Sequence, residues 1–160
     1  MILESNRIIL RPVKIEDADL IVKWRSDPEI SKWIFSQPPI KEEHIKWFYS
    51  PKPNRLDYII YLKDSIPIGT VNYKNIGSGY PEAGILIGDR SQWGTGVAKE
   101  AYTLWLKYGF EQLNLEWIYA LIKIINIRSV KFHNKVGFMH IETDPKSNLL
   151  VMYIGRDMIV

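Results

Sequence analysis

The chain of 160 residues contains no cysteine, so it can form no disulfide, present no thiolate nucleophile and offer no cysteine ligand to a metal. It has no apolar run approaching the ~18 residues of a membrane span, and its opening stretch MILESNRIIL lacks a cationic segment followed by an apolar core. Those absences point to the cytoplasm and away from a membrane. Charge of one sign is never concentrated: 21 Lys and Arg stand among 18 Asp and Glu, for a net +3. Scattered charges leave no footprint for nucleic acid, although an anionic small ligand remains possible. Low-complexity blocks and internal repeats are missing as well.

What is present is the composition of a folded globule, 46% apolar and 12% aromatic, in a length suited to one domain over residues 1–160. Arg7 to Val13 is short, β-branched and interrupted by proline, which predicts a strand. From Ile15, acids in the first turn precede Leu20, Ile21 and Trp24 at helical spacing, and Pro28 ends that helix or begins another turn. Ile40 to Tyr49 predicts a second amphipathic helix, stopped by SPKPN. Tyr58 to Leu62 and Pro67 to Ile76 predict a hairpin, and Glu82 to Gly88, nearly all apolar, a central strand. A long helix follows from Val97 to about Asn114, with Val97, Ala101, Leu104, Trp105 and Tyr108 on one face. Glu116 to Lys123 predicts a strand, Asn126 to Lys135 a helix capped by Asn126, and residues 138–143 and 149–154 a last hairpin across DPKSN. The expected fold is α/β, with strand 82–88, the long helix and strand 116–123 forming a βαβ unit.

Between that central strand and the long helix stands SQWGTGVAKEA, residues 91–101. A helix start presents unpaired N–H groups and the positive end of the helix dipole, so it attracts phosphate. Gly94 and Gly96 would let a diphosphate approach the backbone, but they would equally serve a tight turn. The dinucleotide fingerprint fails because Lys99 stands where its third glycine belongs. The P-loop pattern fails because no glycine-lysine-hydroxyl triplet follows.

Two segments together resemble the GNAT superfamily of acyl-CoA-dependent N-acetyltransferases, in its RimJ/RimL-like branch. In the first, Trp93, Gly94, Gly96, Glu100 and Ala101 match a WG-x-G segment followed by a small residue and an E-A pair. In the second, NIRSVKFHNKVGF, the matches are Asn126, Ser129, Lys135, Gly137 and Phe138. The order of elements extends the resemblance over essentially the whole chain. It implies a single-domain, mostly antiparallel mixed sheet whose two central parallel strands splay apart, flanked by helices. It implies acetyl-CoA as cosubstrate and no metal. It further implies that Leu86, Ile87 and Gly88 pair with the pantetheine arm, and that Gln92, Trp93, Gly94, Thr95, Gly96 and Val97 receive the pyrophosphate. Asn126, with Ser129, would hold the coenzyme from the facing helix. One departure is Ser91, where much of the superfamily has Arg or Gln; Gln92 or Arg90 could compensate.

Direct transfer to an amine needs a base, because an alkylammonium that titrates near ~10 has no lone pair. Glu82, at the entry of the central strand, is the candidate base; its alternative is a solvated strand-end glutamate. Many relatives place a tyrosine acid where this chain has His133, which could protonate the departing thiolate or simply pack at the helix edge. Acceptor-side candidates are Trp33, Phe35 and His44, near loops, whereas Trp24 and Trp47 read as core. The segment from Trp24 to Trp33 is also loosely similar to acetyltransferases of nucleotide-linked deoxysugars, and no concentrated acidic surface suggests a polyamine. The expected acceptor is a small amine, a nucleotide-linked amino sugar among them, or a protein N-terminus. The alternative function is a coenzyme-A-binding module without catalysis. A homodimer fits the resemblance, but no residue demands it.

Overall fold

The computed structural model describes residues 1–34 and 38–160. Two short strands, β1 (Leu3–Glu4) and β2 (Ile8–Pro12), precede three helices, α1 (Ala18–Ser26), α2 (Pro28–Ser31) and α3 (Lys41–Tyr49). Then come β3 (Leu56–Leu62), β4 (Pro67–Lys74), β5 (Glu82–Ile87), α4 (Val97–Glu111), β6 (Trp117–Lys123), α5 (Ile127–Val136), β7 (Met139–Asp144) and β8 (Leu149–Gly155). The strands form one open sheet in the order β1-β2-β3-β4-β5-β6-β8-β7. The β5–β6 junction is parallel and the other pairings are antiparallel, as the expected α/β arrangement required.

One feature goes beyond the expected elements. The two-residue β1 adds an edge, pairing Leu3 with Leu10. Of its two expected roles Pro28 takes the second, beginning another short helical turn: it occupies the first turn of α2, and the Asp27 carboxylate caps that turn by accepting from the Glu29 N–H at 3.0 Å.

Strand alternation sorts the sheet into two faces. One face meets α4 and α5. There Tyr58, Val71 and Tyr73 pack against Tyr102, Trp105, Leu106 and Phe110 in the main core, and the Tyr73 hydroxyl donates to the Trp105 carbonyl at 2.9 Å. Gly109 is required by this contact, because a methyl group there would lie 2.2 Å from the Tyr73 hydroxyl. The opposite face meets α1, whose Trp24 packs so closely over Gly88 that a side chain at that glycine would strike the indole. This second face also buries charge: the Arg11 guanidinium clasps the Asp17 carboxylate with two bonds of 2.8 Å and donates to the Tyr61 hydroxyl at 2.6 Å. Burial alone would raise the Asp17 pKa, but donation from Arg11 and from the Lys14 N–H outweighs it and holds the carboxyl below its ordinary range.

The sheet opens at its centre. β5 remains registered with β4 from Glu82 to Ile87, and β6 with β8 from Trp117 to Lys123. Between β5 and β6 only Glu82 and Tyr119 are paired. Each strand follows its outer neighbour, and a gap widens from that pair toward the C-terminal ends of both strands.

Candidate active site

The gap continues into a cleft of about 680 Å³ that runs through the sheet. Ile85, Leu86 and Ile87 line one wall and Leu121, Ile122 and Lys123 the other; Ile30, Trp33 and Ile34 close one side, with Ala98, Arg128, Ser129 and Phe132 across from them. Backbone groups along a splayed edge have no ladder to satisfy them, so the walls offer donors and acceptors to an extended polar chain. The structure narrows the expectation for Leu86, Ile87 and Gly88. Leu86 and Ile87 line the cleft, but the Ile87 carbonyl already accepts from the Trp93 indole at 3.0 Å and the Gly88 N–H donates to the Ile68 carbonyl at 2.8 Å.

At the mouth, SQWGTGV joins β5 to α4. Gly94 and Gly96 both have positive φ, 79° and 85°, which L side chains rarely adopt, and Gly96 is the residue that caps α4. The glycines thus make the turn that the backbone requires here. The expected donors from Gln92 to Val97 divide in two. The N–H groups of Gln92 and Trp93 close a turn on Asp89 and Arg90, at 3.0 and 3.1 Å, and that of Thr95 reaches Gln92 at 3.4 Å. Those of Gly94, Gly96 and Val97 have no protein acceptor among the described residues. Gly94 has open space where a side chain would project, and converging N–H groups beside a helix N-terminus suit a phosphate.

The loop is fastened from behind. The Glu100 carboxylate accepts from the Arg7 guanidinium, the Arg7 N–H and the Ser5 hydroxyl, each at 2.7 Å, while the Arg7 guanidinium also donates to the Thr95 carbonyl at 3.2 Å. Burial pushes the Glu100 pKa up, but these donors more than offset it and the carboxyl lies below its ordinary range. Ser91 is explained locally: its N–H and hydroxyl both donate to the Asp89 carboxylate, at 3.0 and 2.6 Å, forming the turn before the glycines. Arg90 is engaged by Asp27 at 3.1 Å, on the side of α2.

Across the cleft, Asn126 caps α5 as expected, its side-chain oxygen accepting from the Ser129 N–H at 3.1 Å, so its NH₂ is the group that could serve a ligand. Both residues line the cleft. Three further lining residues were not among the expected site residues: Arg128, Lys131 and Lys135, the last of which matches the family segment without an assigned role. They recur at helical spacing along α5, which was the available signal. The Arg128 guanidinium lies 4.4 Å from the centre of the Trp93 ring, fixing a cation opposite Gly94. Gly94 on one wall and three cations on the other suit the phosphates of a coenzyme.

The remaining candidates separate. Glu82 sits at the closed apex, on the single parallel pair, with Lys74 at a loose 3.9 Å. His133 does not line the cleft, and of its two expected roles its surroundings favour packing at the helix edge. It is 5% exposed, ringed by Tyr102, Phe132 and Phe138 with centroids 5.0–5.4 Å away, and its Nδ1 lies 2.8 Å from the Ser129 carbonyl. Nδ1–H donation to that carbonyl requires no charge, and burial pushes the imidazole pKa down to about 4. Trp33 lines the cleft. His44 instead is buried in α3, stacked on Trp47 at 5.1 Å, and its Nε2 has no partner among the described residues. Phe35 lies outside the described residues. Trp24 is core as expected, whereas Trp47 is half-buried between the Lys52 and Arg55 cations, at 4.5 and 5.2 Å. Among the described residues no cluster of His, Asp and Glu is arranged to hold a metal ion, and no helix is long and apolar enough to cross a membrane.

Residues 7–139 match the family described as acetyltransferase (GNAT) domain. The chain is 32% identical over 146 residues to the uncharacterized N-acetyltransferase p20 of Bacillus licheniformis, covering 85% of this chain and 81% of that protein. It is 36% identical over 140 residues to the uncharacterized protein MJ1062 of Methanocaldococcus jannaschii, covering 84% of this chain and 28% of that longer relative. A solved domain from Methanocaldococcus jannaschii superposes with a TM-score of 0.83 at 31% identity, covering 94% of this chain and 99% of that one. The fold is shared with the spermidine N-acetyltransferase of Vibrio cholerae in complex with CoA and spermine (TM-score 0.84, 20% identity, 96% and 98% covered). It is shared too with FdhC, a nucleotide-linked sugar GNAT (TM-score 0.83, 22% identity, 99% and 92% covered).

Proposed function

The chain belongs to the GNAT acetyltransferase family, and we propose that it transfers the acetyl group of acetyl-CoA to a primary amine by direct attack, as a RimJ/RimL-like member. The single observation that carries this reading is the cleft between β5 and β6, with Gly94 on one wall and Arg128, Lys131 and Lys135 on the other. Acetyl-CoA, when bound, supplies the acetyl group as a thioester. Gly94, Gly96 and Val97 would hold its pyrophosphate with backbone N–H groups, Asn126 would donate to it, and the cations of α5 would balance its charge.

Glu82, at the apex where the strands close and just beyond the residues that line the cleft, is the residue we assign to take the acceptor's proton. As the acceptor nitrogen forms its bond to the acetyl carbon, the carbon–sulfur bond breaks. Glu82 takes the ammonium's first proton and releases it to solvent before attack; the second proton, which the nitrogen sheds as the amide forms, goes by way of solvent to the departing thiolate. His133, neutral and enclosed, serves the packing of α5 on α4. The similarity of fold to an enzyme of nucleotide-linked sugars and to one complexed with spermine supports an amine acceptor of small size. The net positive charge of the chain favours the neutral or anionic amine.

Thiol release from acetyl-CoA, measured with spermidine, glucosamine 6-phosphate and a peptide with a free N-terminus, tests the reading. Release with at least one amine and its loss, by about 100-fold, in Glu82→Gln is expected. Binding of CoA without release by any amine would favour the alternative of a non-catalytic coenzyme-A-binding module.

A further inference from the structure

We propose that Asn72 positions the acceptor amine, its side-chain carbonyl oxygen receiving one of the amine N–H groups beside Glu82; this rests on the transfer reading above. On β4, Val71 and Tyr73 are fully buried against the α4 side, so Asn72 and Lys74 project to the opposite face. Cross-strand register sets Asn72 beside Asp57 on β3 and Gly84 on β5, and Lys74 beside Glu82. Asn72 and Glu82 therefore share a face, one residue pair apart, at the end of the gap where β5 still touches β6.

Three observations single Asn72 out. Its Oδ1 is buried and has no hydrogen-bond partner among the described residues, although buried polar atoms are nearly always paired. Its backbone is fixed, because the main-chain carbonyl accepts from the buried Trp105 indole at 3.0 Å. And its amide lies directly over Gly84: a methyl group at that glycine would stand 2.9 Å from Oδ1 and 3.3 Å from Nδ2. The space over Gly84 is thus occupied by a carboxamide with an unspent acceptor. Of the nearby cations, Arg55, just before β3, pairs with Asp57 at 2.7 Å, and Lys74, two residues along β4, lies 3.9 Å from Glu82.

The chemistry of a carboxamide suits this place better than a second carboxylate. Once a primary ammonium has lost a proton to Glu82, its nitrogen keeps two N–H bonds and one lone pair. An acceptor on one N–H fixes where the lone pair points. A neutral oxygen does so without stabilising the ammonium, whereas a carboxylate would hold the proton on nitrogen and shift reactivity to higher pH.

Thiol release with the amine panel above, run alongside acetyl-CoA KM and thermal unfolding, tests the assignment in three variants. Asn72→Leu is expected to lower kcat/KM for the amine about 10- to 100-fold, with the acetyl-CoA KM unchanged and Tm unchanged or raised, because an unpaired buried oxygen is removed. Asn72→Asp is expected to move the acid limb of the amine kcat/KM profile to higher pH. Gly84→Ala, which displaces the amide, should reproduce the amine defect in milder form. Wild-type amine kinetics in Asn72→Leu, or a fall in amine kinetics, coenzyme KM and Tm together, would overturn the assignment while leaving acetyl transfer intact. Wild-type protein that binds CoA but releases no thiol would overturn the transfer reading, and this one with it.

Discussion

The two faces of the sheet bury different things. Against α4 and α5, Tyr73, Tyr102, Trp105 and Leu106 are wholly enclosed, and their polar atoms find carbonyls: Tyr73 that of Trp105, Trp105 that of Asn72. Against α1 to α3, the interior holds Asp17 and His44, and the Asn72 amide lies on the same face. Two of its atoms, His44 Nε2 and Asn72 Oδ1, are buried without partners among the described residues, against one, Thr103 Oγ1, on α4. Pairing a buried polar atom adds stability, whereas leaving it unpaired sacrifices some. The difference teaches where to look for ligands: the α4 side supplies a rigid frame and the helix N-terminus, and the opposite side has polar capacity left over.

The largest effect expected from breaking that contrast comes from the dry face. Trp105 touches Tyr58 and Tyr73, both with ring centroids at 4.7 Å, and Tyr108 at 5.4 Å. Trp105→Ala should cost about 3–5 kcal/mol in urea unfolding, against little or none for Asn72→Leu on the other face. Equal costs would erase the distinction.

Acid sharpens it next. Unfolded, the His133 imidazole takes a proton near ~6.5; folded, burial holds it to about 4. The unfolded chain therefore binds more protons between those values. Stability is full above ~6.5 and falls as the pH drops toward 4, by up to about 3 kcal/mol. His44, whose pKa is also lowered, first by burial and then by Arg25, adds to the same slope. Urea unfolding of His133→Gln at pH 7 and at about pH 4.5, near the lower end of that window, should show a flatter dependence than wild type. An unchanged slope would mean that His133 is not held neutral by its aromatic ring. The smallest effect belongs to the cleft: Arg128→Gln, which removes the cation stacked on Trp93, should weaken CoA binding about 5- to 10-fold and reduce its salt dependence. Calorimetric titration at two ionic strengths reads both.

Much of this was legible beforehand where the signal is local. The hydrophobic spacing of α4, the Asn126 cap and the apolar runs of β5 and β6 are short-range patterns, and the structure matches their ends within a residue or a few. β1 was not legible, because two residues carry no period. The choice between the two roles of His133 was not legible, because its surroundings come from three elements, Tyr102 on α4, Phe132 on α5 and Phe138 beyond it, that no spacing in the sequence aligns. Asn72 was invisible for a similar reason: its significance depends on a glycine in the next strand and on an indole more than thirty residues away. By contrast, Arg128, Lys131 and Lys135 could have been read from their helical spacing once Asn126 had been placed in the site.

The central claim is that CoA occupies the gap between β5 and β6 with its phosphates on the Gly94–Val97 turn. Titrating CoA into isotopically labelled protein and following amide resonances tests it most directly. Saturable shifts concentrated at Gly94, Gly96, Val97, Leu121 and the Asn126 side-chain NH₂, with Asp17 and His44 unmoved, are the predicted result. No saturable shift, or shifts centred on the α1–α3 face, would contradict it.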